Sequence, residues 1–415
     1  MRIVVMGGGV IGLSCAYYLR KSGAEVVVID KNKPQEGCSF GNAGYISPSH
    51  FIPLATPGIV WKGLKWMLDS SSPFYIKPRL DKRLIKWGIE FIRSANDKTV
   101  KENAPHLFHI LNLSRTLTIE LNQALEQGPE LKLDGCYMLY HEPSTAQHEL
   151  ELAREARQHF GIDVEILTAT ELAKEEPLIS PHILGGAYYP IDGHVHPVKL
   201  MQRLYSSLSE MGVKIVHGEE IIDAEVKNSV ISRVITAQNS YTADEYIMAA
   251  GSWSGLLAEK LNLYLPMQAG KGYSYTFPDI QQNLKKPAIL VDHRVAMTPL
   301  GNSLRVGGTM ELSGINHTIN MNRIHPIINA ANEYFPALNL YIPNKQDVWS
   351  GLRPLSPDGL PYIGRTDKMN NFLIATGHAM IGISLCAATG WLISQIIEGK
   401  SLPLDMKPFH PDRFE

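Results

Sequence analysis

The sequence predicts an α/β protein of two units, one built on a parallel sheet and a second, α+β, on a mainly antiparallel one. Three observations predict it. Residues 2–30, RIVVMGGGVIGLSCAYYLRKSGAEVVVID, run from a β-branched stretch through a glycine-rich turn and a helical stretch into a second β-branched stretch. From about Pro266 to Thr309, apolar residues alternate with period two on either side of a Gly301-Asn302 turn, the pattern of an antiparallel sheet. The chain has 415 residues, 44% of them hydrophobic, enough for two cores.

Ile3-Val4-Val5-Met6 reads as a strand buried on both faces. Gly7, Gly9 and Gly12 then give G-x-G-x-x-G, and Val10 and Ile11 open the helix that follows. The first glycine allows the tight turn, the second lets backbone approach a pyrophosphate, and the third lets helix and strand pack closely. Phosphates would sit on the helix N-terminus, where free N–H groups and the dipole favour negative charge. Gly23 ends the helix, and Val26-Val27-Val28-Ile29 leads to Asp30, placed to accept hydrogen bonds from the ribose of an adenosine. Strand, glycines, helix, strand and terminal acid in one register make this a Rossmann-type dinucleotide site, with Lys31 next in line. An acid at position 30 repels a 2'-phosphate, which leaves FAD or NAD.

Charged residues are 19% of the chain and the formal net charge is −2, so there is no general attraction to nucleic acid or anionic membrane. Cys15, Cys38, Cys136 and Cys386 are scattered without a C-x-x-C and read as reduced packing residues of a cytoplasmic protein. Removing the N-terminal apolar run as a secretion signal would delete the first strand and the phosphate loop. No uncharged apolar run reaches about 18 residues, the length of a membrane span.

After Asp30, the stretch Cys38-Ser39-Phe40-Gly41-Asn42-Ala43-Gly44 is too rich in Gly, Ser and Asn for a core element and reads as a second loop with closely approaching backbone. With the glycine fingerprint, Ser39, Asn42-Ala43-Gly44, Pro48-Ser49-His50 and Pro53-Leu54-Ala55-Thr56-Pro57-Gly58, the chain resembles the FAD-dependent D-amino acid oxidase superfamily, in particular bacterial D-amino acid dehydrogenases (the small-subunit family). The resemblance implies noncovalent FAD, with Ser39, Asn42, Ala43 and Gly44 along its pyrophosphate and flavin. It implies that Ile221 meets the adenine edge, and that Gly251 and Trp253, in Ala249-Ala250-Gly251-Ser252-Trp253, pass close to the cofactor. The last block, Thr376-Gly377-His378-Ala379-Met380-Ile381-Gly382-Ile383-Ser384, opens an apolar helix. Gly377, Met380, Gly382, Ile383 and Ser384 would aim its N-terminus at the flavin N1 and C2 carbonyl.

Gly351-Leu352-Arg353-Pro354 resembles the family's Gly-x-Arg-Pro segment, in which the arginine pairs with the substrate carboxylate. Two parallel N–H donors fix both charge and orientation. Tyr273, or Tyr275, would assist Arg353, and His50 and His378 are the polar candidates near the flavin. Glycine-oxidising relatives carry a second arginine after the Gly-His pair, where this chain has Met380, and covalent-flavin relatives carry a cysteine where Gly351 and Leu352 stand. The resemblance implies oxidation of D-amino acids, with proline-like substrates such as D-hydroxyproline a refinement, by hydride transfer from Cα to flavin N5. The electrons would go to a quinone or the respiratory chain, which leaves peripheral contact with the inner face of the cytoplasmic membrane open. The rivals are a glycine or sarcosine oxidase using oxygen, a noncatalytic flavoprotein subunit, and a NAD-dependent dehydrogenase.

The expected division places residues 1–56, 185–258 and 348–415 in the FAD-binding domain, and 57–184 with 259–347 in the substrate domain, with helices inserted between about 57 and 127. Trp61, Lys62, Lys65 and Trp66 suit either an interfacial helix or a buried face. The pair His194-x-His196 has no third ligand at suitable spacing, so no metal is expected. Nothing in the pattern sets an oligomeric state.

Overall fold

The computed structural model describes residues 1–33, 36–58, 74–125, 128 and 130–415. The Trp61–Trp66 stretch falls outside them. A six-stranded sheet carries the strands in the order Tyr362–Arg365, Phe372–Thr376, Glu245–Met248, Arg2–Met6, Glu25–Asp30 and Lys214–His217. All neighbours are parallel except the Tyr362–Arg365 edge. Val4 and Val5 are both fully buried because layers cover both faces. On one face lie the helices Val10–Lys21, Asp97–Ala124, Pro197–Glu210 and Gly382–Ile397. On the other lie the antiparallel strands Ile221–Lys227, Val230–Thr236 and Ser240–Tyr241 and the helix Ser254–Lys260.

The second unit is a nine-stranded, mainly antiparallel sheet. Its main path runs Trp349–Leu355, Gln268–Phe277, Ser303–Leu312, Val295–Leu300, Ala288–Leu290, Cys136–Tyr140, Gly185–Tyr189 and Glu165–Thr168, with Phe74–Ile76 added along Ser303–Leu312. The strands Gly185–Tyr189 and Trp349–Leu355 correct the expected division, which groups both with the FAD-binding segments. Each pairs within this sheet, the first with Cys136–Tyr140 and the second with Gln268–Phe277. A short strand run does not reveal which sheet will take it; pairing with segments distant in the chain decides it.

Local signals are kept where the chemistry is local. Pro197 opens its helix at the first position with His196 as N-cap, although the His196 side chain makes no capping bond. Asp81 caps Lys82–Ser94 by accepting from the Arg83 N–H. No described helix is long and apolar enough to cross a membrane.

Candidate active site

A cavity of about 740 Å³ lies where the C-terminal ends of the parallel strands meet the second sheet. Gly7 and Gly12 shape its floor. Gly7 has φ +118°, and a Cβ there would lie 2.4 Å from the Ala249 carbonyl oxygen; a Cβ on Gly12 would lie 1.9 Å from that of Gly7. Gly12 does not line the cavity and acts by packing, whereas Gly7, Gly9, Val10 and Ile11 line it. The Asp30 carboxylate, also at the wall, accepts from the N–H groups of Gly8 and Asn32. Gly9, the helix N-cap, has no side chain to offer. Ser39 supplies the missing oxygen from the second loop, accepting from the Val10 N–H at 3.0 Å.

That second loop is held from three sides. Asn42 Oδ1 accepts from the Gly44 N–H at 2.8 Å, while its Nδ2 donates to the Met380 carbonyl at 3.2 Å. The Arg305 guanidinium donates to the carbonyls of Phe40 at 2.9 Å and Asn42 at 2.6 Å. Trp349 packs so closely that a Cβ on Gly41 or Gly351 would lie 2.1 or 1.9 Å from its ring. Ala43, Ile221, Gly251 and Trp253 line the cavity, and Lys31 Nζ stands 3.7 Å over the Trp253 ring. Gly44 and Gly377 do not line it; their positive φ angles serve close packing on Val195 and Tyr362. Met380, Gly382, Ile383 and Ser384 bring the N-terminus of the Gly382–Ile397 helix to the wall. Ser384 Oγ donates to the Tyr45 carbonyl at 2.6 Å, fixing that end.

Arg353 projects from Trp349–Leu355 into the same cavity and donates to the Thr309 carbonyl. Desolvation alone pulls its pKa down to about 10, with no acidic neighbour opposing the shift. Among the described residues no carboxylate pairs with it, so the guanidinium is a partly buried positive charge without a counter-charge. Gly270 lies opposite Arg353 in the ladder, and a Cβ on Gly272 would come within 2.3 Å of Arg353 Nη2. Glycine at 272 therefore makes the room the guanidinium occupies.

Tyr273 borders the cavity, but its hydroxyl is engaged elsewhere. Strand alternation turns its side chain to the face opposite Gly272 and Arg353, where the hydroxyl donates to Glu311 at 2.8 Å beside buried Lys271 and Arg323. Tyr275 is likewise engaged away from the arginine, with the Tyr341 hydroxyl at 2.9 Å. His50 and His378 line the cavity. Desolvation lowers them to about 4 and about 3, so both imidazoles are neutral near pH 7. His378 Nε2 meets Thr389 Oγ1 at 2.9 Å, while its Nδ1 is buried without a hydrogen-bond partner.

Sequence reasoning missed Arg305, Gly272, Trp349 and Cys38. A lone cation in the apolar strand around Arg305 was the available signal. Cys38 comes from the second loop to the rim beside Leu352, whose N–H it accepts at 3.4 Å. The His194-x-His196 pair is split between roles: His194 Nε2 meets the Pro299 carbonyl and His196 is the helix cap.

The family model described as FAD dependent oxidoreductase (DAO) matches residues 2–396. The chain belongs to this family. It is an FAD-dependent oxidoreductase. It is similar to a D-amino acid dehydrogenase of Allorhizobium ampelinum, 30% identical over 98% of this chain and 96% of that protein. A D-amino acid dehydrogenase of Vibrio atlanticus is also 30% identical, over 97% of each. Among solved structures, glycine oxidase from Bacillus cereus matches with a TM-score of 0.77 at 24% identity, covering 97% of this chain and 96% of that one. Glycine oxidase from Geobacillus kaustophilus matches with a TM-score of 0.80 at 22% identity over 99% of both. At these identities the two structures establish the fold.

Proposed function

We propose that this chain dehydrogenates D-amino acids with noncovalently held FAD and passes the electrons to a quinone or another respiratory carrier rather than to oxygen. The observation that carries it is Arg353, a partly buried guanidinium without a counter-charge at the large cavity. The names of the full-length relatives point the same way.

Gly7, Gly9, Val10, Ile11, Asp30, Lys31 and Ile221 would hold the adenosine and its phosphates. Ser39, Asn42, Ala43, Gly251, Trp253 and the Met380–Ser384 segment would hold the flavin half. Bound FAD supplies a two-electron acceptor for the hydride that leaves the substrate Cα. Arg353 clamps the carboxylate through two N–H donors, fixing which Cα hydrogen faces the acceptor. The amine enters neutral, its lone pair forms the C=N bond as hydride departs, and water then hydrolyses the imine unless it is cyclic. No residue has to remove a Cα proton. His50 and His378, kept neutral by burial, border the cavity without adding charge. The helix N-terminus at Gly382 favours negative charge beside it. Burial raises the Cys38 thiol, which keeps it protonated and a poor nucleophile toward a flavin ring.

Leu54, Phe74, Phe91 and Met310 form an apolar wall on the side of the cavity where Arg353 meets Thr309. It suits an apolar side chain, and proline-like rings such as D-hydroxyproline are the finer reading. Contact with an anionic membrane, which a quinone acceptor invites, is supported by the helix Lys82–Ser94. Ile85, Ile89 and Ile92 are exposed along one stripe, beside Lys82, Arg83, Lys86 and Arg93.

The deciding experiment is anaerobic mixing of the yellow protein with a panel of D- and L-amino acids while flavin absorbance is followed. Bleaching by D-amino acids, then rapid reoxidation by a quinone analogue and slow reoxidation by oxygen, is expected. Bleaching by no amino acid, or by L-forms alone, overturns the reading; fast reoxidation by oxygen overturns the acceptor. Release of all the colour on denaturation is expected of noncovalent FAD.

A further inference from the structure

Away from the large cavity, three segments of the second unit bring metal-ligating side chains together. His141 and Glu142 stand in the turn between Cys136–Tyr140 and the helix Pro143–Phe160. His293 stands in the turn between Ala288–Leu290 and Val295–Leu300, and Glu333 in the last turn of Met321–Tyr334. Ligand atoms of His141, His293 and Glu333 all lie within 4.8 Å of one another. His141 Nε2 is 3.4 Å from Glu142 Oε1 and 3.8 Å from Glu333 Oε1, and His293 Nε2 is 3.4 Å from Glu333 Oε2. Ligands at zinc's usual bond length of about 2.0–2.1 Å in a tetrahedron stand roughly 3.3 Å apart. The spacing thus suits a shared ion.

Two further observations point to a ligand. His293 Nε2 is sealed from solvent and makes no hydrogen bond, even though Glu333 is nearby. His141 is oriented from behind in the manner of a metal-binding imidazole. Its Nδ1 meets the Tyr334 hydroxyl at 2.8 Å, and that hydroxyl donates to Asp292 Oδ2 at 2.6 Å. The same Asp292 oxygen lies 3.2 Å from His141 Nδ1 and accepts from the His141 backbone N–H at 2.9 Å. With the proton on Nδ1, the Nε2 lone pair is turned toward His293 and Glu333. The Asp292 side chain is only 6% exposed, so this support is rigid.

We propose that His141, His293 and Glu333, with water completing the shell, form a structural site for a divalent transition metal of the zinc class. Two imidazoles with a carboxylate favour zinc over magnesium or calcium, which prefer all-oxygen shells. The ion clips two turns to a helix. One of those turns also carries Val291 and Arg294, which line the large cavity, so the clip fixes part of the cavity wall from outside.

The test uses FAD-loaded protein stripped with a chelator, passed over a desalting column and titrated with zinc chloride by calorimetry. One zinc per chain at micromolar affinity or tighter is expected, with a thermal midpoint raised by a few degrees. His141→Ala and His293→Gln should each weaken binding at least tenfold while leaving the bound-flavin spectrum unchanged. Cobalt in place of zinc should give the visible absorption of a tetrahedral site, and this should vanish in Glu333→Gln. Absence of zinc binding to the parent protein overturns the proposal. So does equal zinc binding by a His141→Ala/His293→Gln double variant that retains its flavin spectrum. If either histidine variant loses its flavin, the same titration is decided on Glu333→Gln, at an exposed position: weakened binding supports the site and unchanged binding overturns it.

Discussion

Arg353 sets the clearest expectation for a single side chain. Arg353→Leu removes a charge-assisted pair worth about 3 kcal/mol, so KM should rise roughly a hundredfold. Arg353→Lys, which keeps the charge without the two-pronged geometry, should recover only part of that loss. Gly272→Ala should move KM the same way, because its methyl would need the volume held by Arg353 Nη2. Steady-state kinetics of the three variants checks all of this, and an unchanged KM in Arg353→Leu refutes the clamp. His378 makes a different expectation. Its folded pKa is about 3 and its unfolded value about 6.5, so from pH 6.5 downward the unfolded chain takes up a proton that the native protein refuses. Stability should therefore be full above pH 6.5 and decline as pH falls toward 3, by on the order of 5 kcal/mol at the limit. Denaturant titrations at several pH values should show this slope, and His378→Gln should reduce it, leaving the part that His50 contributes. The fingerprint glycines were legible as a tight turn because Gly7 takes a positive φ and Gly12 packs against the Gly7 carbonyl, demands that fall on the glycines themselves. That the Tyr273 hydroxyl turns to Glu311 was not legible, because a one-residue offset along a strand reverses the direction of a side chain and no local signal marks the face.

Among the elements, the helix Lys82–Ser94 has the most to prove. Trp87 points inward and donates to the Leu355 carbonyl at 2.9 Å, while Ile85, Ile89 and Ile92 face outward. Ile85→Glu/Ile89→Glu should abolish co-flotation with anionic vesicles and leave activity toward a soluble dye unchanged; equal flotation of parent and variant would remove the membrane reading. The period-two strands, the Gly301-Asn302 turn and the proline-opened helix were readable because each is fixed by residues a few positions apart. The His141–His293 juxtaposition was not. Its members stand far apart in the chain, and a search by ligand spacing reaches only pairs such as His194-x-His196.

For the whole molecule, the chain end is tied to the edge of the six-stranded sheet: Arg413 forms a two-pronged pair with Asp358 at 2.7 and 2.9 Å and stacks over Tyr362 at 4.0 Å. Arg413→Ala strands a buried carboxylate and should cost about 3–5 kcal/mol, read from denaturant unfolding. The alternation of helix and strand made the parallel sheet legible. The crossing points at 185 and 348 were not, since they depend on strand pairing that only the assembled protein selects. That arrangement also has a bearing on biogenesis. The nucleotide loop is translated first, yet its strand Arg2–Met6 needs Glu245–Met248 as a neighbour, and that strand needs Phe372–Thr376. A nascent polypeptide thus cannot complete the sheet that carries this loop until translation is nearly finished, which leaves its earliest apolar strand without neighbours for most of synthesis.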